Sequence, residues 1–265
     1  MNAQVPAVRI SVLTATRNCG AALNALYESL ERQTYRRFEW IVMDGLSEDG
    51  TPERLRAYAQ ESPWVRVTSE HDFGLYDALN KAIQAATGEY YVVAGADDVF
   101  EPDALEQFAN AADLGGPDVV LAHVTRNGRE IGGFNPRMAW LGHARVFAGS
   151  HSVGMLIRKS LHERFALYSR RFPLLADGYF LKLLLRSRSV RFAEAAFIAG
   201  TFSEGGMSSV NKLQVLTETW QIQMRTERFP LLQTLLFLGK LLVRFPAVRR
   251  ELQADRAHQR SITPS

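Results

Sequence analysis

The feature that most restricts how this chain can fold is the alternation, from residue 8 onward, of short β-branched runs with helix-length amphipathic segments. Residues 8–14 (VRISVLT) form the first such run. Residues 21–33 follow, with Leu23, Leu26, Tyr27 and Leu30 at helical spacing. Residues 38–43 (FEWIVM) read as a second buried strand ending at Asp44. Thr51-Pro52-Glu53 then reads as a helix N-cap, a proline in the first turn and an acid beside the N-terminal dipole. A strand is expected over 65–69, then a helix over 75–86 with Leu75, Leu79, Ala82, Ile83 and Ala86 on one side. Further strands fall at 90–94 (YYVVA) and 119–122. Strands joined by helices of this length pair in parallel and carry helices on both faces. Ligands of such sheets bind beyond the carboxyl ends of the strands, so the residues following each strand are the ones to inspect.

Beyond about Asn127 the rhythm changes. Gly128, Gly132 and Gly133 punctuate short extended pieces, and residues 152–157 read as another strand. Residues 174–186 read as a helix, 190–202 as extended with turns, and 208–228 and 230–253 as long helices. There is no internal repeat. The glycine pair Gly205-Gly206 marks the expected boundary between an α/β domain, residues 1–210, and a helical extension, residues 211–265. A chain of 265 residues is long enough for one substantial core.

Composition removes several classes. Hydrophobic content of 46% with 22% charged residues belongs to a folded domain, not a disordered segment. The formal net charge of +3, from 31 basic and 28 acidic residues, is too small a bias to argue for a nucleic-acid partner. The single cysteine, Cys19, closes no internal disulfide and suits a reduced, cytoplasmic setting. Residues 1–7 lack the pattern of a secretory signal. No run reaches the roughly 18 apolar residues of a membrane span; in 229–245, Gln233, Lys240 and Arg244 interrupt. The expectation is a cytoplasmic protein that can rest on the inner membrane face.

The strand over 90–94 runs into Gly95-Ala96-Asp97-Asp98. Adjacent carboxylates repel unless a cation sits beside them. A hard divalent ion, Mg²⁺ or Mn²⁺, resolves this by taking one or two carboxylates and completing its shell with substrate phosphates. A helix-capping pair ahead of Glu101-Pro102 explains the same residues. Asp44 opens Asp44-Gly45-Leu46-Ser47-Glu48-Asp49-Gly50-Thr51, where it can accept hydrogen bonds from a base or ribose, or simply form an Asx turn. Asp72 lies in Glu70-His71-Asp72-Phe73-Gly74. Asp77 and Lys81, four apart on one helix, make a surface pair worth roughly 0.2–0.5 kcal/mol, or else Lys81 faces phosphate. The first strand ends Thr14-Ala15-Thr16-Arg17-Asn18, with neither Gly-x-Gly-x-x-Gly nor Gly-Lys-Ser/Thr, which argues against dinucleotide-binding dehydrogenases and P-loop enzymes.

The ordered series VLTATRN, FEWIVMDGLSEDGT and SEHDFGLYDALNKAIQAATGEYYVVAGADD resembles family 2 glycosyltransferases of the GT-A fold, especially small bacterial members used in polysaccharide and surface-glycan assembly. The resemblance is dense over 8–100, thinner to Ser209, and absent beyond about Asn211. It implies an α/β fold of the nucleotide-diphospho-sugar transferase type: a mostly parallel central sheet, helices on both faces, and here a C-terminal helical extension. It also implies a nucleotide-sugar donor, with UDP the default base and dTDP and GDP open. By that resemblance Asp44 contacts the nucleobase, Thr14, Thr16 and Asn18 line base and ribose, and Asp72 belongs to the same pocket. Asp97 lies toward sugar and ribose and joins Asp98 in holding Mn²⁺ or Mg²⁺ at the diphosphate. The base that takes the acceptor proton falls on Asp177, in Leu175-Ala176-Asp177-Gly178-Tyr179-Phe180-Leu181-Lys182-Leu183; read locally, Asp177 is a helix N-cap. Many relatives carry a second acid two residues later, where this chain has Tyr179. His151 matches a histidine before the strand under the acceptor pocket, and would touch donor sugar or diphosphate unless it is a structural histidine bonded to backbone. Glu204-Gly205-Gly206-Met207-Ser208-Ser209 resembles a loop that closes over the donor, or a plain linker. The Gln-x-x-Arg-Trp motif of processive synthases is absent, so one sugar is expected per encounter.

Residues 230–253 carry Leu231, Leu232, Leu235, Leu236, Leu238, Leu241, Leu242 and Val243, with Lys240, Arg244, Arg249 and Arg250 toward the end. Such a helix suits an anionic membrane bearing a lipid-linked or glycan acceptor, or packing against protein. Two other functions fit parts of the pattern. A nucleotidyltransferase making sugar nucleotides would place a glycine-rich basic loop where 14–18 stand, and a non-catalytic nucleotide- or glycan-binding module would have no need of the intact acids.

Overall fold

The computed structural model describes residues 8–113, 116–142, 146, 151–202 and 211–262. Its first half follows the hydrophobic pattern closely. Strand β1 (Ile10–Thr16), helix α1 (Leu23–Glu31), β2 (Phe38–Asp44), α2 (Thr51–Glu61), β3 (Val65–Ser69), α3 (Leu75–Ala85) and β4 (Tyr90–Val93) alternate in order. Then come β5 (Val99–Phe100), α4 (Ala104–Asp113), β6 (Val119–Arg126), β7 (Arg129–Ile131), β8 (Met155–Arg158), α5 (Leu161–Arg164), α6 (Ala176–Leu185) and β9 (Phe192–Thr201). Two C-terminal helices close the chain, α7 (Lys212–Thr226) and α8 (Pro230–Ile262).

The strands form one nine-stranded sheet in the order β3-β2-β1-β4-β8-β6-β9-β5, with β7 hydrogen-bonded to β6. The block β3-β2-β1-β4 is parallel. Direction reverses where β8 pairs antiparallel with both β4 and β6. Both faces of β1, β2 and β4 are buried, as their near-continuous apolar runs require, while the edge strand β3 stays largely exposed. Alternate residues of β1 divide between the faces: Val12 joins Leu26, Leu30, Trp40 and Phe108 beneath α1 and α4. Leu13 joins Leu79, Ile83, Phe180, Leu181 and Ile222 beneath α3, α6 and α7.

Three local expectations change. Thr51 is the first residue inside α2, and Gly50 occupies the cap. The Thr51 hydroxyl instead accepts hydrogen bonds from the Cys19 and Gly20 amides at 3.0 and 2.8 Å, tying the loop after β1 to the start of α2. The strand expected over 152–157 begins with a 3-10 turn, Ser152–Gly154, and becomes β8 at Met155. A side chain at Gly154 would meet Val124 Cγ1 at 2.7 Å, so only glycine lets this turn cross β6. Asp177 is not a cap either: it is the second residue of α6, whose cap position is Leu175.

Candidate active site

The strand ends carry the polar residues, and hydrogen bonds between loops arrange them. Asp44 closes β2, level with Thr16 on one side and Ser69 on the other. Its buried carboxylate accepts from the Ser69 hydroxyl at 2.6 Å and the Ser47 amide at 3.1 Å, and from the Ser47 hydroxyl. The Asx turn is therefore present, with Ser69 of the next strand as a further donor to the same carboxylate. Asn18 adopts a left-handed conformation (φ 53°) that lets its amide donate to Ser47 Oγ at 2.7 Å while its side-chain oxygen accepts from the Glu48 amide at 2.8 Å. Asp72 leans on Gly45, where a Cβ would lie 2.4 Å from Asp72 Oδ2 and 3.6 Å from the Arg17 side chain. Asn18, Asp44, Ser47 and Asp72 thus cluster in the loops beyond the parallel strands.

Thr14, Thr16 and Lys81, expected at the same nucleotide, are bound into the protein to different degrees. Thr14 is fully buried and accepts the Trp40 indole N–H at 2.9 Å. Thr16 is buried too, and among the described residues its hydroxyl is the one buried side-chain polar atom without a hydrogen-bond partner. Lys81 donates to the His71 carbonyl at 2.7 Å, pairs with Glu70 at 2.8 Å and lies 3.8 Å from Asp77. Asp77 is buried, not a surface group; it accepts the Phe73 amide at 3.1 Å and pairs with Arg170.

Asp97 and Asp98 follow β4 at the change in strand direction. Asp98 is 2% exposed, and its Oδ2 accepts the Gly95 amide at 2.7 Å. Burial pushes the Asp98 carboxyl up to about 7; the Gly95 amide opposes this and the neighbouring Asp97 charge adds to it. His151 Nδ1 stands 3.8 Å from Asp98 Oδ2, and its ring stacks on Phe202 with centroids 4.0 Å apart. Burial brings the imidazole down to about 4 against the opposing pull of Asp177 and Asp97. At neutral pH the ring is uncharged, so its approach to Asp98 is not an ion pair.

Asp177 comes from the first turn of α6, where a carboxylate complements the helix dipole. Its Oδ1 accepts the Tyr76 hydroxyl at 2.6 Å and the Gly178 amide at 2.7 Å. Tyr76 also reaches the Leu174 carbonyl at 3.2 Å. Tyr76 carried no signal in the sequence, because its hydrogen-bond partner lies 101 positions away. Residues 147–150 and the whole segment 203–210 lie outside the described residues.

Among the described residues no three His, Cys, Asp or Glu side chains are grouped to hold a metal ion. The residues that could hold a cation here are Asp97 and Asp98, and their chemistry fits: a buried carboxylate held up by burial and by its neighbour's negative charge is what a divalent ion relieves.

Comparison with known proteins agrees with this geometry. Residues 11–179 match the family model described as Glycosyl transferase family 2. A PGL/p-HBAD biosynthesis glycosyltransferase of Mycobacterium bovis is 30% identical over 182 residues, covering 64% of this chain and 67% of that protein. A cholesterol galactosyltransferase of Borreliella burgdorferi is 30% identical over 114 residues, 43% of this chain and 32% of that protein. Among solved structures, the mannosyltransferase PcManGT from Pyrobaculum calidifontis, in complex with GDP-Man and Mn²⁺, superposes with a TM-score of 0.65 at 21% identity, over 96% of this chain and 77% of that one. S. aureus TarS in complex with UDP-GlcNAc superposes with a TM-score of 0.64 at 18% identity, over 90% and 73%. At such identities the structural likeness establishes the fold alone.

Proposed function

Since the chain belongs to glycosyl transferase family 2 and is a glycosyltransferase of the GT-A fold, we propose that it moves one sugar from a nucleotide-diphosphate donor, with UDP favoured, to a hydroxyl acceptor with inversion at the anomeric carbon. The observation that carries this reading is the convergence of Asp97, Asp98 and Asp177 around the uncharged His151, whose ring feels both Asp97 and Asp177. Asp44, Asp72 and Asn18 receive the base and ribose, and the unpartnered Thr16 hydroxyl beside Asp44 supports a polar ligand at that end. Lys81, held by acids, acts by neutralising them. His151, uncharged, offers the donor sugar or diphosphate a hydrogen bond rather than a charge.

Mn²⁺ or Mg²⁺ held by Asp98 and Asp97 would stabilise the negative charge growing on the departing diphosphate. Asp177 accepts the proton of the acceptor hydroxyl as its oxygen bonds to the anomeric carbon and the bond from that carbon to the diphosphate oxygen breaks. The Tyr76 hydroxyl and the Gly178 amide keep the carboxylate fixed for that transfer. The catalytic domain is residues 1–210 with 211–265 as its extension. The acceptor is a glycan or lipid-linked intermediate at the cytoplasmic membrane face, reached through α8, whose first half exposes a row of leucines beside Arg244 and Arg249. No helix among the described residues is long and apolar enough to cross a membrane, so that contact is lateral.

Calorimetric titration with UDP, GDP and dTDP, each with and without Mn²⁺, tests the site. The expected result is metal-dependent binding of one nucleotide that Asp98→Ala abolishes. Absence of binding by all of them, with and without metal, would overturn the reading.

A further inference from the structure

The base assigned above is mounted on a helix whose first turn is held from outside the family-matched residues 11–179. Leu174 and Leu175 immediately precede α6, and their amides both donate to one oxygen of Glu218, at 3.0 Å each. Glu218 comes from α7, is 4% exposed, and keeps its other oxygen for the Gln214 side chain at 2.9 Å. Neither Leu174 nor Leu175 can cap the helix with its own side chain, and the cap position makes no side-chain hydrogen bond. A buried carboxylate is costly to place, so a plain packing contact is a poor account of it. What it does is satisfy two orphan amides at a helix N-terminus. The far end of α6 is gripped as well: the buried Lys182 amine donates to Gln223 at 2.7 Å and to the Ala139 carbonyl at 2.8 Å, and pairs with Glu227. Helix α7 therefore spans α6 like a splint, and Tyr76 bonds the same short stretch from α3, at Leu174 and Asp177.

We infer that Glu218 is a positioning residue that fixes the backbone carrying Asp177, so that the C-terminal extension takes part in aligning the base. The inference rests on Asp177 being that base. The test compares Glu218→Ala, Glu218→Gln, Asp177→Asn and the double variant Glu218→Ala/Asp177→Asn. Two quantities are read: release of nucleoside diphosphate from UDP-glucose and GDP-mannose with Mn²⁺, and calorimetric affinity for the nucleotide. Glu218→Ala should lower kcat on the order of ten- to a hundredfold, the cost of a displaced catalytic group, while nucleotide affinity stays within about twofold. Glu218→Gln, whose amide oxygen still accepts both N–H bonds, should recover most of the rate. Added to Asp177→Asn, Glu218→Ala should cost nothing further. Full kcat in Glu218→Ala, losses that add in the double variant, or parallel loss of rate and nucleotide affinity in both Glu218 variants would each overturn the inference while leaving the base assignment intact. Full turnover by Asp177→Asn would instead remove the assignment on which it rests.

Discussion

Glu39 lies buried in the interior of β2 and is held by donors on several sides. Ser11 Oγ, the Thr87 amide and the Thr87 hydroxyl each donate to it at 2.7 Å, and Arg66 at 2.9 Å. Burial alone would raise its carboxyl; the hydrogen bonds from Thr87, Ser11 and Arg66 outweigh that and bring it down from 4.5 to about 2. A lowered value means stability that is fully present above 4.5 and lost as pH falls toward 2, amounting to about 3 kcal/mol. Urea unfolding of the wild type and Glu39→Gln across that window should show the loss in the former and a shallower dependence in the latter; equal slopes would assign the acid sensitivity elsewhere. At this scale the sequence exposes only residues whose type is dictated by local chemistry. Asp44, Asp97 and Asp98 stood out because carboxylates at strand ends are poor building material. Tyr76 and Glu218 did not, because their roles are set by backbone and side chains 101, 44 and 43 positions away.

Among elements, β5 has two residues, yet it begins directly after Asp98 and ties the backbone there to β9. It pairs with β9 across Gly200, where a Cβ would lie 2.4 Å from the Val99 carbonyl oxygen and 3.3 Å from Phe100 Cα. Gly200→Ala must push β5 away, so we expect a stability loss of roughly 1–3 kcal/mol together with weaker metal-dependent nucleotide binding. Gly88→Ala meets Ser11 N at 2.7 Å and the Tyr90 carbonyl at 2.8 Å, at the opposite end of the sheet. It should cost comparable stability and leave binding intact. Thermal unfolding and calorimetry on both variants check this, and equal effects on binding would deny β5 its positional role. The elements that could be read in advance are those whose burial is uniform: β1 and β2 are buried along almost their whole length. Strand β9 is mostly half-buried, with Ala199 and Gly200 buried near its end, and α4 was foreshadowed only by the capping alternative for Asp97-Asp98. Thr51 has the residue type of a cap but spends its hydroxyl on a neighbouring loop, which only the assembled fold reveals.

At the scale of the whole molecule, α8 leaves Leu231, Leu235, Leu238, Leu242 and Phe245 exposed, Leu231 by 83%, and the chain has no acidic residue from 230 to 250. Vesicles containing phosphatidylglycerol should sediment the protein, and phosphatidylcholine vesicles should do so less. Leu235→Glu with Leu242→Glu should release it without changing metal-dependent nucleotide binding. A dimer that these substitutions dissolve, with no vesicle binding, would make the face a contact between copies instead. The sheet reverses direction at β4 and β8, again at β8 and β6, and once more at β9 and β5. Helix α6 and the splint that supports it pack on the same face as α3, where Tyr76 ties Leu174 and Asp177 to the parallel block. The two halves therefore share one support, and a change in α3 is felt at Asp177. A chimaera joined between β4 and β8 would take Tyr76 from one parent and its partner segment from the other, so its turnover should depend on re-forming that contact.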